Sequence, residues 1–306
     1  MTELPTHVDI RDVSLRDGLQ IEDPIPLSAK LELLAAVAAT GVREMEATAF
    51  VSPSKVPALA DAAELAAELH NFPGIEFSAL VASPNGAKRA IAAGLQSIEY
   101  VVSAADGHSR SNVGRSTAEA TAQTPEIVAI AHDSGVSVEV IIATAWDCPF
   151  DGPTPAERVV EVVTAACEAD VDRLAIADTI GTTTPRRVSD LIARIQPLIG
   201  DIPLGAHFHN TRGAGLASAY AAVSSGVTRL DASVGGLGGC PFAPGARGNI
   251  VTEDLVFMLE EMGLSTGIDL DRLMATREIL SSHIPAKHLT GHLHEAGIPK
   301  ALRRAA

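Results

Sequence analysis

Residues 171–210 read VDRLAIADTIGTTTPRRVSDLIARIQPLIGDIPLGAHFHN. An apolar run over 171–177 predicts a buried strand. Thr184-Pro185 then opens a helix over 185–197, because Pro fits the first helical position and Thr suits the cap before it. A second apolar run predicts a strand over 202–208. This strand–helix–strand unit carries its polar groups at the end of its last strand, as His207 and His209. Side chains two apart on a strand share a face, so the two imidazoles form half of a metal site.

The same alternation extends in both directions. Strands are expected at 7–14, 42–47, 75–82, 97–103, 136–143, 171–177, 202–208 and 228–233. Helices are expected at 28–40, 58–70, 85–93, 118–134, 154–169, 185–197, 212–225 and 252–262. Ser28, Thr154-Pro155 and Thr184-Pro185 mark helix starts, and Gly41, Gly94, Gly135 and Gly226 mark helix ends. Eight such units in ~250 residues is the count of an α/β (β/α)8 TIM barrel. A doubly wound sheet is the alternative, and no G-x-G-x-x-G follows the first strand to support it. The expected organisation is a single TIM-barrel domain over 1–306, with 265–306 a C-terminal helical extension covering one barrel end. No linker divides the chain.

Composition narrows the function. The chain has 306 residues, 46% hydrophobic but only 3% aromatic, so its core must be mainly Ala, Val, Leu and Ile. Its 23 Lys+Arg against 38 Asp+Glu give a net charge of −15, which argues against nucleic acid as a main partner. A small anionic ligand needs only a local basic patch. Cys148, Cys167 and Cys240 are odd in number, widely spaced and without CxxC, so neither a disulfide framework nor a cysteine-rich zinc site is expected. The N-terminus lacks a signal-peptide pattern, and no apolar run reaches the roughly 18 residues of a membrane span. A cytoplasmic, homo-oligomeric protein (dimer or higher) without membrane attachment is expected.

In a barrel, chemistry collects at the carboxyl ends of the strands. Asp17 follows strand one, Glu46 ends strand two, Asp178 follows strand six, and a glycine-rich loop after strand eight holds Cys240 and ends at Asn249. Asp17, His207 and His209 would supply three metal ligands, and Asn249 an amide oxygen. This oxygen and nitrogen set suits Mg2+ or Mn2+, with Zn2+ and Co2+ also compatible. Arg16 keeps its charge and can hold an oxyanion or enolate. Glu46 is an ion-pair partner for Arg16. Cys240 can donate a proton from a loop able to close over a ligand. His288, His292 and His294 form a second histidine group, read as a solvated tail.

These motifs resemble those of the 3-hydroxy-3-methylglutaryl-CoA lyase family, among the metal-dependent TIM-barrel lyases related to Claisen condensing enzymes. The resemblance rests on Arg16-Asp17-Gly18-Leu19-Gln20, Glu46 through Pro53, Asp178-Thr179-Ile180-Gly181, His207-x-His209 and Gly236 through Pro241, and spans roughly residues 8–285. It implies a divalent metal at Asp17, His207, His209 and Asn249, and catalytic roles for Arg16, Glu46 and Cys240. It implies an acyl-CoA substrate, 3-hydroxy-3-methylglutaryl-CoA, cleaved to acetyl-CoA and acetoacetate, with His207 or Asp17 as base. Sibling lyases for other 3-hydroxyacyl-CoA thioesters, an aldolase or Claisen synthase, and an inactive barrel acting as a binding protein are the alternatives. The chain departs from the family at Ser14-Leu15, at Asn210 and Arg212, and across 106–115, where His108 is similar to the condensing relatives. These departures are expected near the acyl pocket, and Arg212 is expected at its rim or, as a surface residue, at the start of the following helix.

Overall fold

The protein is described from a computed structural model covering residues 4–239 and 248–299. Eight parallel strands close into a barrel: β1 Asp9–Asp12, β2 Glu44–Phe50, β3 Glu76–Val81, β4 Ser97–Ser103, β5 Ser137–Ala143, β6 Arg173–Asp178, β7 Leu204–Phe208 and β8 Arg229–Ala232. Each strand pairs with its sequence neighbour, and β8 returns to β1 through Asp9 opposite Arg229. The outer ring is α1 Leu27–Ala38, α2 Ala62–Glu68, α3 Pro84–Ala92, α4 Asp106–Val113, α5 Thr117–Thr121, α6 Thr124–His132, α7 Ala156–Glu168, α8 Pro185–Ile199, α9 Gly215–Ser224 and α10 Thr252–Glu261. No helix among the described residues is long and apolar enough to cross a membrane.

The periodicities explain the layers. In α8, Val188, Leu191, Ile192, Ile195 and Ile199 are buried at helical spacing, facing the sheet. Burying each such side chain stabilises the fold by about 1.5–3 kcal/mol. Three helix expectations change. Ser28 lies inside α1, whose cap is Pro26. The helix expected over 118–134 is two, α5 and α6, with Pro125 in the first turn of the second. The stretch after β4 contains α4, ended by Gly114 in the left-handed conformation.

The amino-terminal half of the barrel interior is charged rather than apolar. Arg11 donates from Nε and Nη2 to both oxygens of Asp231, at 2.9 and 2.8 Å, and from Nη1 to Glu99 at 2.7 Å and Glu139 at 2.5 Å. Arg229 pairs with Glu139 and Glu44. Removing one member would strand a buried charge, which costs about 3–5 kcal/mol. The extension continues as α11 Leu270–His283 along the flank beside α1. Its last turns return to the carboxyl end of the barrel, where Thr290 N donates to Gly235 O and Leu293 N to Asp254, both at 2.7 Å.

Candidate metal centre and acyl pocket

Asp17 and Arg16 sit on a wide helical turn, Ser14–Gly18, directly after β1. Its closing bond runs from Gly18 N to Val13 O at 2.9 Å. Both side chains are buried. Arg16 Nη1 donates to Asp17 Oδ1 at 2.8 Å, and its Nε lies 2.5 Å from Glu46 Oε1, an ion pair outside hydrogen-bond geometry. Burial alone would lower the Arg16 pKa, but Glu46 and Asp17 outweigh it and keep the guanidinium charged. Burial pushes Glu46 well above the usual carboxylate range; Arg16 opposes this and the neighbouring Glu99 adds to it. The expected Arg16–Glu46 pairing is therefore present.

Asp17 is surrounded by donors. Gln20 Nε2 donates to Oδ1 and Asn249 Nδ2 to Oδ2, each at 2.7 Å. Burial pushes the Asp17 carboxyl up, yet Arg16, the two histidines and Asn249 hold it below its ordinary value. His207 and His209 stand at the end of β7 with ring centres 5.1 Å apart. The ladder places His209 opposite Asn249, and Asn210 N donates to Gly248 O at 2.8 Å. Gly181 (φ 61°) is required beside them, since a Cβ there would lie 2.8 Å from His209 O.

Asp17, His207 and His209 each offer a ligand atom, all within 4.8 Å of one another, and all three residues are buried. Two buried polar atoms at this point have no partner, His209 Nδ1 and Asn249 Oδ1. A cation held by one carboxylate, two imidazoles and one amide oxygen would satisfy such a set. His207 Nδ1 lies 3.1 Å from Asp231 Oδ2. Burial pushes Asp231 up, but Arg11 and His207 outweigh it and keep the carboxylate ionised. His207 must therefore donate from Nδ1, which leaves the Nε2 lone pair for other work. Burial, with His207 adding to it, lowers His209 to about 4, so this ring is neutral.

The cluster forms the floor of a cavity of about 430 Å3. Its walls include Val101, Ile141, Ala143 and Ala177, and Lys55, Arg89 and Arg115 also line it. His108 and Asn112 line it from α4, so the 106–115 departure does face the pocket. Ser103 Oγ lies 2.6 Å from His108 Nδ1, and burial lowers His108 to about 4.

Other expectations fall elsewhere. Arg212 is not part of the cavity wall; its Nη1 donates to Ile180 O at 2.7 Å on the exposed side of the loop after β6. Asn210 likewise turns away, accepting from Gly215 N at 3.0 Å. Both follow β7 after His209, where the chain has already left the barrel mouth. Asp178 closes its own loop through Thr182 N and Thr183 N, each 3.0 Å away. The histidine tail is docked rather than solvated: Leu289 and Leu293 are buried, and His288 pairs with Glu22 at 2.7 Å. Cys240 lies outside the described residues; its neighbour Gly239 accepts from Gln20 at 3.0 Å through its carbonyl.

Sequence reasoning missed Asp231 and Gln20. The signal for Asp231 is an acidic residue inside the strand Arg229-Leu230-Asp231-Ala232, where an unpaired charge is too costly to bury. Gln20 was quoted within its motif without a role; its side chain links Asp17 to the glycine-rich loop.

A family model described as HMGL-like matches residues 7–280. The hydroxymethylglutaryl-CoA lyase YngG of Bacillus subtilis is 33% identical over 290 residues, covering 93% of this chain and 97% of that protein. The (R)-citramalyl-CoA lyase of Chloroflexus aurantiacus is 38% identical over 286 residues, covering 90% of each. Among solved structures, an HMG-CoA lyase from A. baumannii in complex with coenzyme A and 3-methylmalate superposes with a TM-score of 0.92 at 35% identity, covering all of both chains.

Proposed function

This chain belongs to the HMGL-like family and is a carbon–carbon lyase, and from that premise we propose that it cleaves 3-hydroxy-3-methylglutaryl-CoA to acetyl-CoA and acetoacetate with Mg2+ or Mn2+. The observation that carries this reading is the buried Asp17–His207–His209 cluster beside Arg16 at the floor of the cavity. Asp17, His207, His209 and Asn249 Oδ1 would hold the ion. When bound, the ion acidifies the substrate's tertiary hydroxyl and orients it.

The hydroxyl proton passes to His207 or to Asp17. Arg16, Gln20 and Asn249 donate to or pair with the Asp17 carboxylate, and Asp231 accepts from His207 Nδ1 and fixes the ring with its Nε2 lone pair free. Nε2 can act as ligand or as base in a given step, but not as both. As the alkoxide becomes a ketone, the C2–C3 bond breaks and its electron pair moves onto the thioester carbonyl as an enolate. Arg16 lines the cavity with its charge paired by Asp17 and its guanidinium braced by Glu46, ready to stabilise that oxygen. Cys240 is the proposed proton donor to the enolate carbon, completing acetyl-CoA. Glu46 positions Arg16. Lys55, Arg89 and Arg115 give the acyl-CoA phosphates a local basic patch on an acidic protein.

A second reading has its own support, because the citramalyl-CoA lyase is the more identical of the two relatives above. In that reading the carboxylate sits directly on the carbinol carbon and the ketone product is pyruvate. The test is acetyl-CoA release from both thioesters by metal-loaded enzyme, with and without chelator. Release from 3-hydroxy-3-methylglutaryl-CoA that a chelator abolishes supports the first reading. Preference for citramalyl-CoA selects the second, and full turnover in verified metal-free enzyme overturns the mechanism.

A further inference from the structure

The cavity has two unlike sides. One carries Arg16, Asp17, His207 and His209. The other is an arc across three consecutive strands: Val101 on β4, Ile141 and Ala143 on β5, and Ala177 on β6. Ala177 stands opposite His207 in the β6–β7 ladder. Neighbouring strands lie about 4.8 Å apart, so the apolar arc starts one strand away from a proposed ligand. Ile141, Ala175 and Ala177, with Val101 against them, form a cluster separate from the main core. These side chains face the barrel interior and share nothing with the helices. The arc itself presents no polar side chain. Thr179 and His108 stand at its edge, and both have partners, in Thr144 N at 2.8 Å and Ser103.

We infer that this arc receives the alkyl substituent on the substrate's carbinol carbon, and that Ala143 and Ala177 set how long that substituent can be. The inference rests on the lyase reading above. A tertiary carbinol carbon has four branches. Its hydroxyl belongs at the ligand cluster, its carboxylate arm beside the ion, and its thioester carbonyl beside Arg16 with the coenzyme A leading to the cavity mouth. The fourth branch is left for the apolar arc. A carboxylate pressed against these apolar side chains would lose hydration, which is costly, whereas methyl or ethyl gains from burial. Two alanines rather than larger residues leave room beyond a methyl. The substrate class is therefore a tertiary 3-hydroxyacyl-CoA with an apolar C3 substituent, of which 3-methyl is the shortest.

The test compares 3-methyl, 3-ethyl and 3-propyl homologues of 3-hydroxyglutaryl-CoA in the wild type, Ala177→Val and Ala143→Val. The wild type is expected to cleave the ethyl homologue with kcat/KM within tenfold of the methyl one. Each valine should lower the ethyl-to-methyl ratio at least tenfold while Mn2+ affinity stays at the wild-type value. Calorimetry with the free 3-alkyl-3-hydroxyglutarates on Mn2+-loaded protein reads the same wall without turnover. Affinity should rise about fourfold per added methylene until the arc is full, and both variants should lose that gain. Should no thioester be cleaved, the lyase substrate is wrong, and the calorimetric series still decides the arc. An ethyl-to-methyl ratio unmoved by both valines, or affinity indifferent to alkyl length, overturns the inference. The two substitutions lie on different strands, so misfolding of one leaves the other to decide.

Discussion

The two sides of the cavity are built on opposite principles. On the charged side the groups restrain one another: Arg16 by Glu46 and Asp17, Asp17 by Gln20 and Asn249, His207 by Asp231, and Asp231 by Arg11, with His209 left open for a ligand. The chain runs from the pocket floor into the buried ion network beneath it. On the apolar side, Val101, Ile141, Ala143 and Ala177 have shape and nothing else. Reaction chemistry needs donors fixed before the charge develops, so the charged side carries its own scaffolding. Selection by size needs only a wall of the right depth. A substitution on the first side should therefore change rate or metal affinity, and one on the second should change preference.

The largest expected effect is at Arg16. Arg16→Met should leave Mn2+ affinity near the wild-type value and lower kcat by ~10²–10³, the usual loss for one preorganised oxyanion donor. Mn2+ titration beside steady-state kinetics checks it. If the variant loses its metal, Arg16 serves Asp17 rather than the enolate. Asp231→Asn comes next. It turns one of the two acceptor oxygens shared by His207 and Arg11 into a donor and removes the charge, so the His207 ring loses its fixed partner and metal affinity should fall ~10–100-fold. Unchanged affinity would mean that His207 is oriented by its strand alone, and the charged side would need less scaffolding than its geometry implies.

The legibility of the two sides differed in the same way. The barrel followed from eight apolar runs, and β4 was placed at 97–103 with both ends correct. Asp17, His207 and His209 could be read because polar residues at strand ends have few structural reasons to be there. Asp231 could not, because pairing with Arg11 and His207 depends on which strands become neighbours when the barrel closes. The apolar arc was invisible for a related reason. Ala143 and Ala177 look like any core alanines until closure shows that they face inward. The stretch after β4 carries no expected helix because its polar residues hide the short helix α4, which one buried face, His108 and Ser109, holds in place.

His108 stands at the edge of the apolar arc and reports on it through pH. Burial lowers its pKa from 6.5 to about 4. As pH falls, the unfolded chain takes up this proton first, so the stability contributed by the neutral ring is full above pH 6.5 and is lost between 6.5 and about 4. The loss can reach ~3 kcal/mol for a shift of this size. Urea unfolding at pH 7.5 and 4.5, for the wild type and His108→Asn, isolates it. The variant should lose less stability on acidification, and parallel losses would place the pH sensitivity elsewhere.

The smallest effect is expected at Arg212, where the family departure first suggested a part in choosing the substrate. Its guanidinium bonds the carbonyls of Ile180 and Gly181, at 2.7 and 3.4 Å, and the cavity wall does not include it. A tyrosine there would lose those two bonds, one exposed and one part-buried, worth about 0.5–1.5 kcal/mol each at most. The loop they brace lies behind His209, since Gly181 packs on its carbonyl, whereas the arc's own side chains sit within β4, β5 and β6, whose ladder bonds hold them without Arg212. Arg212→Tyr should therefore shift metal affinity no more than a few-fold and leave the ethyl-to-methyl kcat/KM ratio at the wild-type value. The same assay applied to Ala177→Val should move that ratio at least tenfold. Were Arg212→Tyr to move it comparably, size selection would extend beyond the apolar arc into the loop after β7, and the division of the cavity into a restrained side and a plain one would fail.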